Sequence, residues 1–287
     1  MARRLLSHLL ITLAIFTLVA TFYIWFLDSV ILNPGKLVPV LKDAGVPSAI
    51  ATLLPEKATQ DAKPEERAEM KAKIAQVVTP EYVNTKMTAI ATSVTTFMRD
   101  GEPQPVVDLS DFPTQLRASG IEVGSDIDKT FSTPIELNKQ GNLDKLPQAY
   151  KTFKLLKIAG IVLFAVLLIA EWFAAARGEK LKRVGRIFLH TSIWFFVFWG
   201  AIVLLPSRLL PQLKQSVNDT SVNQLIDAVA NAVKHLFGDY FVSFAVICGI
   251  IAIILYVLRK TTKHVQEIQA VPAARQKPTS STKPVKK

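Results

Sequence analysis

Residues 158–205 constrain this chain more than any other stretch. Two apolar runs, 158–176 and 187–205, are joined by the short basic segment Arg177-Gly-Glu-Lys-Leu-Lys-Arg-Val-Gly-Arg186. A helix rises ~1.5 Å per residue, so each run approaches the roughly 20 residues needed to cross ~30 Å of hydrocarbon. The pattern predicts a transmembrane hairpin. Its turn is too short for a domain and carries Arg177, Lys180, Lys182, Arg183 and Arg186 against Glu179 alone. By the positive-inside rule such a turn faces the cytoplasm.

The rest of the chain follows from that placement. Arg3 and Arg4 precede an apolar run over 5–27, longer than the roughly 7–15-residue core of a secretory leader and without a small-x-small cleavage site, so it is read as an uncleaved first span. A fourth span covers 240–258 and stops at Arg259-Lys260. The expected architecture is an all-α membrane protein with four transmembrane helices and both termini cytoplasmic. Its parts are 1–27 (N-terminus and first helix), 28–153 (extracytoplasmic helical domain) and 154–206 (hairpin with the basic turn 177–186). After these come 207–239 (second extracytoplasmic segment), 240–258 (fourth helix) and 259–287 (disordered basic tail). The net charge of +11 lies mainly in the inward pieces, so it reads as a topology signal and not as a nucleic-acid footprint. With Cys248 as the only cysteine, an intrachain disulfide or CxxC site is excluded.

The polar region after the first span is punctuated for helices. Asn33-Pro34 opens a short one that Gly45 can close; Pro64 followed by two glutamates opens another; Thr79-Pro80 opens the longest, which ends at Asp100-Gly101. On the longest, Val83, Met87, Ile90, Val94 and Phe97 form one apolar stripe, the expected core of the domain. Residues 102–110 read as extended, Ser110 as the cap of a short helix through Ser119, and 121–146 as loop with a short strand or helical turn. In 207–239, Val222, Leu225, Ile226, Val229, Val233, Leu236 and Phe237 recur at helical spacing up to Gly238. This amphipathic helix is expected either to lie on the outer leaflet or to cap the first extracytoplasmic segment, and its lack of the basic polar face of a lipid-surface helix favours packing on protein. In the fourth span, Ala245, Gly249 and Ala252 offer a small-residue face for close helix approach.

The stretch from Thr79-Pro-Glu-Tyr-Val83 through Phe97-Met-Arg-Asp-Gly101 to Val107-Asp-Leu-Ser-Asp-Phe112 resembles a pattern in uncharacterised bacterial polytopic membrane proteins that carry a helical extracytoplasmic segment after the first transmembrane helix. The resemblance implies a plasma-membrane location in a bacterium and no particular activity. Tetraspanins and claudins share the layout, but their cysteine motifs are absent.

Chemistry is sparse. No HExxH, GxSxG, Walker loop or GxGxxG after a strand occurs, so no catalytic, cofactor-binding or metal-binding residue is assigned and no enzyme activity is expected. The one constellation worth weighing is His8, Glu171 and His190. Counted from the basic flanks, all three lie at a similar depth inside the cytoplasmic edge, where a carboxylate and two imidazoles could hold a proton or a divalent metal. The ordinary reading is that Glu171 snorkels or pairs with the basic turn and the histidines are hydrated. The functional expectation is an integral membrane protein presenting a helical extracytoplasmic domain to a partner or ligand in the envelope, with the lipid bilayer, an envelope protein and a second copy of itself as partners. The alternative is an oligomeric transporter or channel subunit.

Cysteines introduced at Ser119 and Ser216 are expected to react with an impermeant maleimide in whole cells, and one at Gly178 only after lysis. Labelling of the Gly178 variant in intact cells would invert the arrangement.

Overall fold

The computed structural model describes residues 2–60, 62–124, 128, 131–139, 141–176, 178–217 and 219–274. It is 82% helical. Four of its helices are long and apolar enough to cross a membrane, over Leu5–Ile31, Leu146–Ala174, Lys180–Ser216 and Thr220–Thr262.

Helix α1 spans Ala2–Phe26 and runs into a five-residue π-helical turn, Leu27–Ile31, closed by Leu32 N–H donating to Leu27 O at 2.8 Å. Helix α2 (Pro34–Asp43) starts where expected: the Asn33 side chain accepts from Gly35 N–H at 3.1 Å, and Pro34 has no first-turn amide to waste. Gly45, at φ 82°, reverses the chain into α3 (Val46–Ala58), a helix the sequence reading passed over although Val46-Pro47 is a regular helix start. Helix α4 covers Pro64–Val77 and α5 Pro80–Asp100. Thr79 caps α5 by accepting from Tyr82 N–H at 3.2 Å, and Gly101, at φ 86°, ends it with its N–H on Phe97 O. Beyond it, β1 (Val106–Val107) pairs antiparallel with β2 (Ile135–Glu136), Val106 opposite Glu136. Between the strands, α6 (Phe112–Ala118) has Asp111 at its N-cap, one residue past the expected cap Ser110.

The long helices outrun their expected ends. Helix α7 (Leu146–Ala174) is continuous from the polar region into the apolar run. Helix α8 (Lys180–Ser216) begins inside the basic segment and passes through Pro206 and Pro211. The expected turn 177–186 is therefore largely the first two turns of a helix, in which Glu179 and Arg183 form an i,i+4 pair; Arg177 lies outside the described residues. Proline removes one helical hydrogen bond and can be carried when neighbouring groups adapt; Ser207 Oγ donates to Leu204 O at 2.6 Å beside the break. Helix α9 (Thr220–Ala274) takes the amphipathic segment and the fourth span as one rod, with Gly238 inside it against the Trp199 ring and not at a C-cap. The helix also continues through 259–274, where a tail without regular structure was expected; 275–287 lie outside the described residues.

Contacts divide the chain into two units: Met1–Leu18 with Leu163–Trp194 and Phe244–Lys287, and Val19–Val162 with Phe195–Ser243. In the first, Ala14, Leu167 and Ile187 form a buried apolar cluster. There Ser192 Oγ donates to Ala245 O at 2.8 Å, and the small face Ala245, Gly249 and Ala252 is used as expected, with Ala245 and Ala252 fully buried. A Cβ on Gly249 would lie 3.3 Å from Ser192 Oγ, which shows how close the two helices run.

The second unit holds α2–α6 and the beginning of α9. Ala51, Val78 and Val83 form one cluster, joined by Ile74, Met87 and Phe112. Val46, Ala49, Ala228 and Ala232 form another with Leu225 and Met87, so the start of α9 does cap this helical region. Helices α2 and α3, bent by 69°, are together apolar enough to count as a broken span, but this packing on protein accounts for their apolar residues. The expected stripe of α9 holds in part: Leu236 is buried and Val222, Leu225, Ile226 and Phe237 are half-buried, but Val229 and Val233 are exposed while Ser221, Ala228 and Ala232 are buried. At these two positions the valines gave way to neighbouring alanines, which let the helices approach. The α5 stripe holds at Val83 and Phe97, which are buried, with Met87, Ile90 and Val94 half-buried.

Polar ties complete this unit. Lys57 pairs with Asp219 at 2.7 Å and Ser221 bonds Glu56, fastening α3 to the head of α9; the Lys57 hydrogen bond holds the Asp219 carboxyl below its ordinary range. Tyr82 and Lys86 of α5 both reach Asp111, with Lys86 at 2.6 Å; burial and then the Asp111 charge push the Tyr82 hydroxyl far above its ordinary range. Asp28 of the π-turn accepts from Tyr150 Oη at 2.9 Å and pairs with Lys157. Aromatic rings from α1, α8 and α9 pack around Phe22, Phe195 and Phe241, with Phe22 and Phe195 centroids 4.7 Å apart.

Ala232→Leu should lower stability by about 1–3 kcal/mol through overpacking. Val233→Ala, one residue along on the exposed face, should stay within about 0.5 kcal/mol. Thermal unfolding of the detergent-solubilised protein reads both, and equal effects would show that the start of α9 is not packed as described.

Candidate functional site

Glu171 lies near the end of α7 and is completely buried. Ser7 Oγ donates to its Oε1 at 2.6 Å, and Arg183 Nη1 approaches the same oxygen at 3.4 Å while also bonding Ser7. Arg183 is committed on its other side too, with Nη2 3.2 Å and Nε 3.3 Å from Glu179 Oε2. The four side chains form one chain of charge-assisted bonds, Glu179 to Arg183 to Ser7 to Glu171. Glu171 Oε2 has no hydrogen-bond partner among the described residues. The Arg183 hydrogen bond and then its charge hold the Glu179 carboxyl below its ordinary range, with Lys182 and Arg259 adding to the effect.

A buried carboxylate is tolerated only when paired and hydrogen-bonded, and the pair here is a guanidinium bridged by a hydroxyl. Snorkelling, the ordinary sequence reading, therefore does not describe Glu171. Pairing with the basic segment does, through Arg183. The structure does not bring the expected trio together by any hydrogen bond it contains. His8 is exposed and lines a neighbouring cavity, and His190, also exposed, has Nδ1 2.8 Å from Arg186 O on its own helix. No group of three or more His, Cys, Asp or Glu side chains suited to a metal ion occurs among the described residues. Ser7, the partner that sequence reasoning missed, sits beside His8 at the same depth. Depth was legible from the basic flanks, but which way each side chain turns about its helix was not.

One cavity adjoins this chain of bonds, and a second shares His8 with the first. One, of about 200 Å³, is lined by Ser7, His8, Ile11, Glu179, Lys182, Arg183 and Arg186. The other, about 540 Å³ and almost wholly apolar, runs along α1 past Leu5, His8, Leu9, Thr12, Leu13 and Phe16. A third cavity, in the other unit and about 420 Å³, lies between α4 and the turn after α6, where Lys73 donates to Gly120 O at 3.3 Å and pairs with Glu69. Glu66 and Glu122 add negative charge there that one lysine does not balance.

No protein-family model, curated protein or solved structure matches this chain.

Arg183→Ala leaves a buried carboxylate with only Ser7 and should cost about 3–5 kcal/mol. Because Glu171 and Arg183 are coupled, Glu171→Ala with Arg183→Ala should cost clearly less than the sum of the single losses. Independent sites would add within about 0.5 kcal/mol. Thermal unfolding in detergent, repeated for both single variants and the double, distinguishes the two cases.

Proposed function

We propose that this chain is an integral protein of a bacterial plasma membrane that presents a helical extracytoplasmic domain to a partner or ligand. The reading is supported by the four apolar helices and by the asymmetry of basic residues, which favours cytoplasmic termini and hairpin turn. The observation that carries it is the helical region α2–α6 closed by the head of α9. It has two apolar clusters of its own and polar ties from α3 to α9, more construction than a connection between spans requires. The cavity of Glu66, Glu69, Met70, Lys73 and Glu122 falls within the size range of ligand sites and has an acidic balance, so the partner is a cationic group. No catalytic step belongs to this reading.

A photo-cross-linking residue in place of Met70 should yield a discrete adduct in whole cells, and one in place of Thr85, exposed on α5, should not. Glu66→Lys combined with Glu122→Lys should abolish the Met70 adduct while the domain keeps its protease resistance. Failure of the Met70 position to give an adduct distinct from Thr85 would overturn the assignment of this cavity.

A further inference from the structure

The cavity of about 200 Å³ beside Ser7 has more positive charge than its own acids can use. Glu179 is neutralised by Arg183 through two hydrogen bonds, and Glu171 is shared between Ser7 and Arg183. Lys182 and Arg186, which also line the cavity, pair with no carboxylate among the described residues. Arg259, which does not line the cavity, lies near enough for its charge to act on Glu179. A water molecule occupies about 30 Å³ in the liquid, so the cavity has room for a group with several acceptor oxygens. Guanidinium and ammonium donors converging on one space suit a phosphate.

The neighbouring cavity decides what carries the phosphate. The apolar groove along Leu5, Leu9, Leu13 and Phe16 shares His8 with the polar cavity, so the polar pocket and a strip of hydrocarbon surface lie on either side of one residue. These four side chains are exposed, Leu5 at 76% and Phe16 at 71%. A free phosphate ion would use the pocket and leave the groove bare, whereas a phospholipid fills both.

We propose that this is a site for an anionic phospholipid, with the headgroup phosphate held by Lys182 and Arg186 and an acyl chain lying along Leu5, Leu9, Leu13 and Phe16 of α1. Basic pockets among membrane helices are recurrent headgroup sites. Such a site binds at the level of one lipid per chain and discriminates by headgroup charge. That distinguishes it from the diffuse attraction of any basic segment to an acidic surface.

The test uses the purified full-length protein in a neutral detergent, with native mass spectrometry and thermal unfolding as readouts. Phosphatidylglycerol is expected to bind one per chain and raise the melting temperature, and phosphatidylcholine at the same concentration is expected to do neither. Lys182→Ala with Arg186→Ala should weaken phosphatidylglycerol binding roughly tenfold or more. Lys260→Ala, which removes a cation outside the cavity, should leave it unchanged. Glu179→Gln should strengthen binding by freeing Arg183, a gain that misfolding cannot imitate. Equal binding of the two lipids, or an equal loss in Lys260→Ala, would overturn the proposal. Stabilisation by inorganic phosphate as large as that by the lipid would keep the phosphate pocket and overturn the lipid as its source.

Discussion

A backbone amide or carbonyl surrounded by apolar side chains has no water to bond, and every long element of this chain obeys that constraint by remaining helical. Helix α8 continues through two prolines to Ser216, and α9 extends unbroken from Thr220 to Ala274. Once a helix is formed, each further residue adds a hydrogen bond for one residue ordered, whereas ending it exposes four unpaired carbonyls. Signals that end helices in smaller soluble domains, such as Pro206 and Gly238, were therefore overridden. The segment expected between the third and fourth spans is in consequence not a loop with a helix in it. It is the end of one rod and the beginning of the next, with Asn218 outside the described residues between them.

Rods need few contacts to be fixed laterally, and the contacts are chosen by size as much as by hydropathy. Ala245 and Gly249 meet Ser192 in one unit, and Ala228 and Ala232 meet Val46 and Ala49 in the other. At the start of α9 the larger valines face outward because alanine allows the closer approach, and dispersion between well-fitted surfaces falls off steeply with any gap. Polar groups are then set where apolar packing leaves them in low dielectric. Asp28 is held by Tyr150 and Lys157 in one unit, and Glu171 by Ser7 and Arg183 in the other. Each acid left alone would be costly, and each ties separate parts of the chain into a defined register.

The local grammar of the helical region was readable. Asn33-Pro34, Thr79-Pro80 and Asp100-Gly101 end or begin helices where their chemistry requires it, because capping depends on a side chain and amides within three residues. Helix α3 is less legible because Gly45 both closes α2 and stands directly before the helix start Val46-Pro47, so one residue carries two signals. The strand pair Val106–Val107 with Ile135–Glu136 joins segments about thirty residues apart, and no local pattern announces a partner at that distance.

The same division runs through the polar site. The sequence alone determined that Glu171 is the one acid within an apolar run, that basic residues stand a turn or two away, and that His8 and His190 share its depth, because depth along a helix is a count of residues at constant rise. Only the tertiary structure decided which of these groups touch. Rotation of a helix about its axis is set by packing with its neighbours, and one residue's difference turns a side chain through about 100°. That turn brought Ser7 to Glu171 and left His8 on the cavity wall, and it made Arg183, among five basic candidates, the partner of two carboxylates.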